Sequence, residues 1–539
     1  MSELRSHYGV VVIGGGAAGC VVAARLSEDE QRSVLLLEAG GHNRRLSVRA
    51  PAAFSSQFES KLDWNYVTEP EENLHGRQLF EPRGKMLGGC SSMNAMMYVR
   101  GNRVDYEEWV EQGAEGWGAE DVLPHFRRSE DNADLSDRHH AKGGPMHVET
   151  FRTPDPVTRR VVDACVEAGF ERREDINGDR QDGVTFTQVN QRKGMRHDTA
   201  SAFLGPARSR QNLDVVSGAL VHRLVLDGSR VTGVEYSRGR RSQVARVSGA
   251  EVVLCAGAFG TPEILQRSGI GDPEHLRSVG VEPLVDLPAV GRHLMEHPFQ
   301  FVNFELRGGA TGLAGLEHPR HVAQWLLRRQ GKLTSNVGEA LAFFRTDPSM
   351  PAPDMEMVIA PLYFWEHGKG THPRPAFSIG LSYIAPRSRG TVLIGSPDPT
   401  QKARVRLNML SHPDEVTAIV RGIHKVREVA AMPALREICG AEINPGRWVA
   451  DDAALGDYVR GTVEHTYHPA CTARIGDPQT GACDPQLRVH GVDNLRIADA
   501  SVMPTITRGN THAPTIMIGE RCAAFIAGVP SSALAGAAA

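Results

Sequence analysis

The sequence predicts an α/β fold whose N-terminal part is a doubly wound parallel sheet, and three features of the first forty residues carry that prediction. Val10–Ile13 is a β-branched run of the kind that fills a parallel strand buried on both faces. The cluster Gly14-Gly15-Gly16-Ala17-Ala18-Gly19 follows directly and opens a helix-like stretch, Ala17–Leu26. A second apolar run, Val34–Leu37, closes on Glu38. Strand, glycine turn, helix and strand make one βαβ unit, the seed of such a sheet.

The glycines are placed for a ligand. Gly14 permits the tight turn, Gly16 lets backbone approach a pyrophosphate, and Gly19 lets helix and strand pack closely. The helix N-terminus at Ala17 and Ala18 offers unpaired N–H groups and a positive dipole end to phosphates. Glu38 ends the second strand, where a carboxylate accepts hydrogen bonds from adenosine ribose hydroxyls. A purely structural glycine turn needs neither the helix nor the acid, so these residues predict a dinucleotide site. They do not separate NAD from FAD.

Further along, Leu213–Ser217, Val231–Tyr236 and Val252–Cys255 read as strands. Residues 376–384 read as another, with large apolar residues alternating from Phe377. Over 414–431, Val416, Ile419, Val420, Ile423 and Val426 recur at helical spacing behind Asp414 and Glu415; this is a packing helix without chemistry. The tail 531–539 is small and featureless and is expected to be disordered.

Composition sets bounds. A chain of 539 residues predicts two domains or a discontinuous pair. The net charge of −4 comes without a basic block, so nucleic acid is not an expected partner. The eight cysteines form no Cys-x-x-Cys pair, and no metal site is predicted. Residues 1–9 are polar and no apolar run reaches membrane-spanning length, so neither an export segment nor a membrane span is expected and a cytoplasmic location follows by default.

Three more segments stand out. Arg83-Gly-Lys-Met-Leu-Gly88-Gly89-Cys-Ser-Ser92-Met93-Asn94 is a glycine loop that lets backbone pass close to something large, with short polar groups beside it. Gly257–Gly271 follows a strand; Thr261 is placed as an N-cap, Pro262 as a first helical residue and Gly269 as the helix end. Near the C-terminus, Thr466-Tyr467-His468-Pro469 and Gly509-Asn510-Thr511-His512 carry two histidines, and Leu495–Ser501 between them reads as a strand ending in Asp499. His465 lies close enough to compete for the catalytic role, and among 22 histidines the ordinary reading of any one is structural.

Together these motifs resemble the glucose–methanol–choline (GMC) oxidoreductase family, from about Tyr8 to Gly528. Gly84–Asn94 continuing to Tyr98, Gly101 and Glu107 is similar to the family's first signature and Gly257–Gly271 to its second; Asp63-Trp64-Asn65-Tyr66 and Ser388-Arg389-Gly390 also resemble family features. The resemblance implies a Rossmann-like FAD-binding domain from 1–155, 200–300 and 465–530, and an α+β substrate domain, an antiparallel sheet plus helices, from 156–199 and 301–464. It implies that Gly14, Gly16, Ala17, Ala18, Gly19 and Glu38 hold the ADP half and that Val221 meets the adenine through its backbone. Trp64, Gly88, Gly89, Ser92 and Asn94 would line the flavin, with Asp499 and Ala500 at the ribityl–pyrophosphate region and a helix from about Thr515 aimed at the pyrimidine edge.

Cys90 replaces a usual Gly, Ser or Thr, Glu296 stands where Asp is usual, and Met93 occupies the place of a histidine that some choline oxidases link covalently to flavin. Methionine cannot form that bond, so FAD is expected to be non-covalent. The resemblance further implies oxidation of an alcohol, CH₂–OH to aldehyde, by hydride transfer to flavin N5. His468 would take the hydroxyl proton and His512 would orient the same oxygen, their titrations coupled by proximity. The substrate is a polar alcohol such as a sugar, an amino sugar or a choline-like compound, with O₂ as acceptor. Asp354, Glu356, Glu366 and Tyr363-Phe364-Trp365 are candidates to recognise a cationic or polyhydroxylated substrate, against their reading as core or solvated residues. A dehydrogenase passing electrons to a quinone and a non-redox lyase on the same fold are the alternatives. Oligomeric state is left open.

Overall fold

The structure, a computed structural model, describes residues 4–238, 241–531 and 533. Its parallel sheet runs in the order Leu213–Ser217, Val34–Glu38, His7–Ile13, Arg241–Leu254, with Leu495–Ile497 beyond the last. All four pairings are parallel. Val10–Ile13 and Val34–Leu37 are buried throughout, as their continuous apolar runs require. The helix Ala17–Leu26 packs on the C-terminal helix His512–Ala527, so the two ends of the chain share one core.

Two strands differ from expectation. Val252–Cys255 is the end of a longer strand, Arg241–Leu254, whose first half turns away from the parallel ladder. There it pairs antiparallel with Arg230–Arg238, which pairs antiparallel with Ala219–Asp227. One strand thus serves two ladders, which an apolar run of four residues does not reveal.

The second sheet is antiparallel in every pairing, in the order Cys439–Asn444, Pro298–Leu306, Ala376–Tyr383, Met355–Ala360, Ala340–Phe344, Gly183–Phe186, with Glu464–His465 also on Pro298–Leu306. The expected helix is Pro413–Ala430; it buries Ile419, Val420, Ile423 and Val426 in the core it shares with this sheet. Ala376–Tyr383 is buried on both faces. The strand Pro298–Leu306 straddles the expected boundary at 300/301 and belongs wholly to this sheet.

The helix after the parallel sheet begins at Gly257, not at Pro262, and runs to Arg267. Its N-terminus is capped from far away: Asp499 accepts hydrogen bonds from the Gly257 N–H at 2.8 Å and the Thr261 hydroxyl at 2.6 Å. Thr261 therefore anchors the helix sideways, and Pro262 is carried inside it. No helix among the described residues is long and apolar enough to cross a membrane. Apart from Ser531 and Ala533, the expected disordered tail lies outside the described residues.

Candidate active site

A single elongated cavity runs from the glycine turn to the C-terminal histidines, between the two sheets. Its wall includes Gly14, Gly16, Ala17, Ala18 and Glu38, Trp64, Gly89, Asn94, Val221, Asp499 and Ala500, and His468 and His512. The turn could not be built from other residues. Gly14 has φ +101°, and a Cβ there would lie 2.4 Å from the Cys255 carbonyl oxygen. A Cβ on Gly16 would meet only that same oxygen, at 3.8 Å, leaving the helix N-terminus open to the cavity.

The second glycine loop closes on the first. Gly88 donates its N–H to Gly15 O at 2.7 Å, and a Cβ on Gly89 would sit 2.8 Å from Gly16 Cα. The large neighbour that Gly88-Gly89 accommodates is thus the dinucleotide turn itself. Gly88 and Ser92 are not on the cavity wall; Ser92 is fully buried and donates to Leu87 O at 2.9 Å, a bond internal to the loop. Gly19 is likewise off the wall, packed on Gly14 O.

Glu38 is turned onto the loop. Its oxygens accept the N–H groups of Gly15 at 2.8 Å and Gly40 at 2.6 Å, and burial raises its pKa to about 7 despite those bonds. Asp499, raised by burial, is engaged by Gly257, Thr261 and Ser501. Lys85 Nζ lies 4.2 Å from the Trp64 ring centre.

At the far end, His468 sits on a strapped loop. Its backbone N–H and that of His297 both donate to Glu296 Oε1, each at 2.8 Å. Arg83 holds the Tyr467 carbonyl at 2.7 Å, and Tyr467 has φ +64°. The imidazole is polarised from both sides. Asn510 Nδ2 lies 3.2 Å from His468 Nε2; with that amide nitrogen as donor, the ring proton is on Nδ1. That proton faces Thr466 Oγ1 at 2.8 Å and His297 Nδ1 at 3.1 Å. Burial, then the His297 ring and the Arg83 guanidinium, hold His468 well below the usual imidazole range.

His512 begins the C-terminal helix, three residues ahead of expectation. Its Nδ1–H donates to Asn190 Oδ1 at 3.1 Å, and its Nε2 is buried without a protein partner. Burial and Arg196 push its pKa down to about 4. The expected mutual coupling of His468 and His512 is replaced by separate causes: each is depressed chiefly by its own desolvation, and each has a different charged neighbour.

His465 is excluded as a competitor. Its Nε2–H donates to Phe80 O at 3.0 Å, its Nδ1 accepts the Tyr467 N–H, and it is off the cavity wall. With Glu81 and Glu296 it forms a buried cluster whose ligand-type atoms lie within 4.8 Å of one another, a grouping invisible in sequence because the three come from separate strands and loops. Arg83 supplies a positive charge beside both carboxylates. Asn510 and Thr466 lie inside the histidine motifs and His297 follows Glu296, yet none carries a signal of its own in the sequence; only the folded contacts with His468 reveal them.

A glycine-lined cradle at a helix N-terminus, continuous with a chamber holding an unpartnered imidazole nitrogen, defines a dinucleotide-dependent oxidoreductase site. The chain belongs to the GMC oxidoreductase family: residues 8–299 match its N-terminal model and 386–519 its C-terminal model. It is 41% identical over 499 residues to an uncharacterized GMC-type oxidoreductase of Mycobacterium tuberculosis, covering 91% of this chain and 93% of that protein. An oxygen-dependent choline dehydrogenase of Rhizobium etli is 38% identical over 498 residues, 91% and 90% of the two chains. Among solved structures, pyridoxine 4-oxidase from Mesorbium loti superposes with a TM-score of 0.88 at 30% identity, covering 96% and 98%. A formate oxidase structure gives 0.92 at 25%, covering 98% and 99%. The cofactor is FAD, and the enzyme is an oxidoreductase acting on CH–OH donors. The residues present fit that cofactor: the cradle at Gly16–Ala18 suits a pyrophosphate, and the cavity continues to orphaned polar atoms on Asn510 and His512.

Proposed function

We propose that the protein oxidises a primary alcohol to its aldehyde, with His468 as the base. The observation that carries this reading is the setting of His468: its Nδ1 side is engaged by Thr466 and His297, burial keeps the ring neutral, and its Nε2 is met only by the cavity-lining Asn510 amide at 3.2 Å. A substrate hydroxyl that displaces this Asn510 contact gives its proton to His468 Nε2 while its oxygen accepts from Asn510 Nδ2. Loss of that proton makes the carbinol carbon a far better hydride donor. When bound, FAD supplies the hydride acceptor, flavin N5. His512, fixed by Asn190 with Nε2 unpartnered among the described residues, stands as a second neutral imidazole on the wall of the same chamber. In that tautomer His512 accepts only, so the donor to the substrate oxygen is Asn510.

Gly14, Gly16, Ala17, Ala18 and Glu38 would hold the ADP half, Val221 the adenine, and Trp64, Gly89 and Asn94 the flavin. Met93, buried and on the cavity wall, supports non-covalent FAD, since a thioether is no nucleophile for the flavin methyl. Acid precipitation of the yellow protein should release all flavin to the supernatant. In this reading the FAD-binding segments would be those that build the parallel sheet and the substrate segments those of the antiparallel one, and since Pro298–Leu306 belongs to the latter the boundary would fall ahead of Pro298. O₂ is the proposed acceptor, in keeping with the oxygen-dependent and oxidase names of two relatives. Anaerobic mixing with a panel of alcohols, followed by loss of the oxidised flavin band, tests the reaction; hydrogen peroxide formed under air tests the acceptor.

A further inference from the structure

One carboxylate in the chamber has no role in the proton transfer above. Glu356 lies on the strand Met355–Ala360, is 1% exposed, and its side chain makes no hydrogen bond or ion pair among the described residues; its Oε1 is buried without a partner there. It lines the same cavity as His468 and His512, and so do Val358 and Ala360, the alternate residues of its strand. Of the three acids that the sequence singled out near here, the other two are accounted for. Asp354 accepts the N–H and hydroxyl of Thr346, and Glu366 is in an irregular turn off the cavity wall.

The sheet register shows what surrounds it. Glu356 pairs with Ser382, which pairs with Phe299; Val358 pairs with Gly380, which pairs with Phe301. Directly opposed residues of antiparallel strands share a face, so these six side-chain positions form one patch. Gly380 leaves room at its centre, and the Phe299 ring fills it: a Cβ on Gly380 would lie 2.2 Å from Phe299 Cζ. The ring therefore leans across the middle strand toward the Glu356–Val358 side. Phe301 stacks edgewise on Phe299 at 4.5 Å and meets Phe364 at 5.3 Å. Ser382 Oγ, cross-strand from Glu356, is also buried and unpartnered.

A lone carboxylate in an aromatic-walled chamber is costly unless something brings it a positive charge or donors. Apolar substrates would leave it unpaired, and neutral polyols would need several polar partners where the wall supplies phenylalanine. A protonated nitrogen on a compact apolar body suits both, since the nitrogen meets the carboxylate while aromatic faces contact the cation and the carbon frame. We propose that Glu356 is the specificity residue of the substrate chamber, seating the protonated nitrogen of an amine-bearing or N-heterocyclic alcohol. The chemistry performed on that alcohol rests on the reading of His468 given above; the nitrogen site itself does not.

The test separates the two. Holoenzyme is titrated anaerobically with benzylammonium and with benzyl methyl ether, neither of which carries a hydroxyl, and binding is read from perturbation of the flavin absorbance and by calorimetry. Benzylammonium is expected to bind at least tenfold more tightly than the ether, and Glu356→Gln to abolish that preference. Equal binding in the wild type, or a preference that survives Glu356→Gln, overturns the assignment. In a second arm, amino alcohols are compared with neutral alcohols of the same shape. The ratio of their kcat/KM values should fall at least tenfold in Glu356→Gln, through KM rather than kcat. A preference for benzylammonium that depends on Glu356, in an enzyme whose flavin no alcohol reduces, supports the nitrogen site and sinks the alcohol-oxidation reading instead.

Discussion

Replacing His468 by glutamine tests the base directly. The amide can still meet Asn510 and Thr466, so the loop should hold its shape, but it cannot take a proton. A positioned general base contributes about 10²–10⁴-fold, and the rate constant of anaerobic flavin reduction should fall by that factor with flavin still bound. The matching His512→Gln change should cost less than the His468 change, because that ring lines the chamber without receiving the hydroxyl proton. The structure also fixes the pH dependence. An ordinary imidazole of pKa about 6.5 would be about 90% protonated at pH 5.5, and a reaction needing it neutral would slow about tenfold between pH 7.5 and 5.5. Burial, His297 and Arg83 hold His468 well below that range, and His512 lies at about 4. Both are neutral throughout the window, so flavin reduction by a non-ionising alcohol should stay flat. Stopped-flow absorbance across that range reads both quantities. Near wild-type reduction in His468→Gln, a larger loss in His512→Gln, or a tenfold fall toward pH 5.5 would each refute the assignment.

Three further outcomes are expected. Gly14→Ala combines a left-handed φ of +101° with a Cβ 2.4 Å from Cys255 O, a cost of about 2–5 kcal/mol, and should yield protein with little flavin by its visible-to-ultraviolet absorbance ratio. Asp499→Ala strands the N–H groups of Gly257 and Ser501 and the Thr261 hydroxyl, so thermal unfolding should show a loss of about 3–6 kcal/mol, much of it recovered by Asp499→Asn. Glu356 has its folded pKa raised to about 8 by burial against an unfolded value near 4.5, so its stabilising contribution is complete below pH 4.5 and is lost as pH rises through 8. Glu356→Gln should therefore gain up to about 5 kcal/mol on the ligand-free wild type between those pH values, and a constant difference would contradict the unpaired carboxylate.

What the sequence made legible was local. The βαβ unit at 7–38 could be read because its glycines, its β-branched strands and its terminal acid lie within one stretch of chain, each answering a constraint set by the next. The packing helix Pro413–Ala430 was legible for the same reason: its apolar period is internal to it. The start of the helix at Gly257 was misplaced because its cap, Asp499, lies 242 residues away, and no local pattern announces a cap that distant. Gly88-Gly89 showed that something large came near but not that it was the first glycine turn.

The catalytic end follows the same logic one level up. The proposed base role of His468 depends on Asn510, Thr466, His297 and Glu296, which contact its ring and its backbone and arrive from three separated segments. His465, three residues earlier in the chain, carries the same side chain and is satisfied by Phe80 O and the Tyr467 N–H, so it has nothing left to offer a substrate. What distinguishes His468 from His465 is that its Nε2 is met by a cavity-lining side chain, Asn510, which a substrate can displace, whereas both nitrogens of His465 are closed by the main chain. Sequence gives residue type and spacing, but where a lone pair points depends on contacts closed across the whole fold. Glu356 makes the same point in reverse: it looked like one acid among three, and only the absence of any partner in the folded chamber sets it apart.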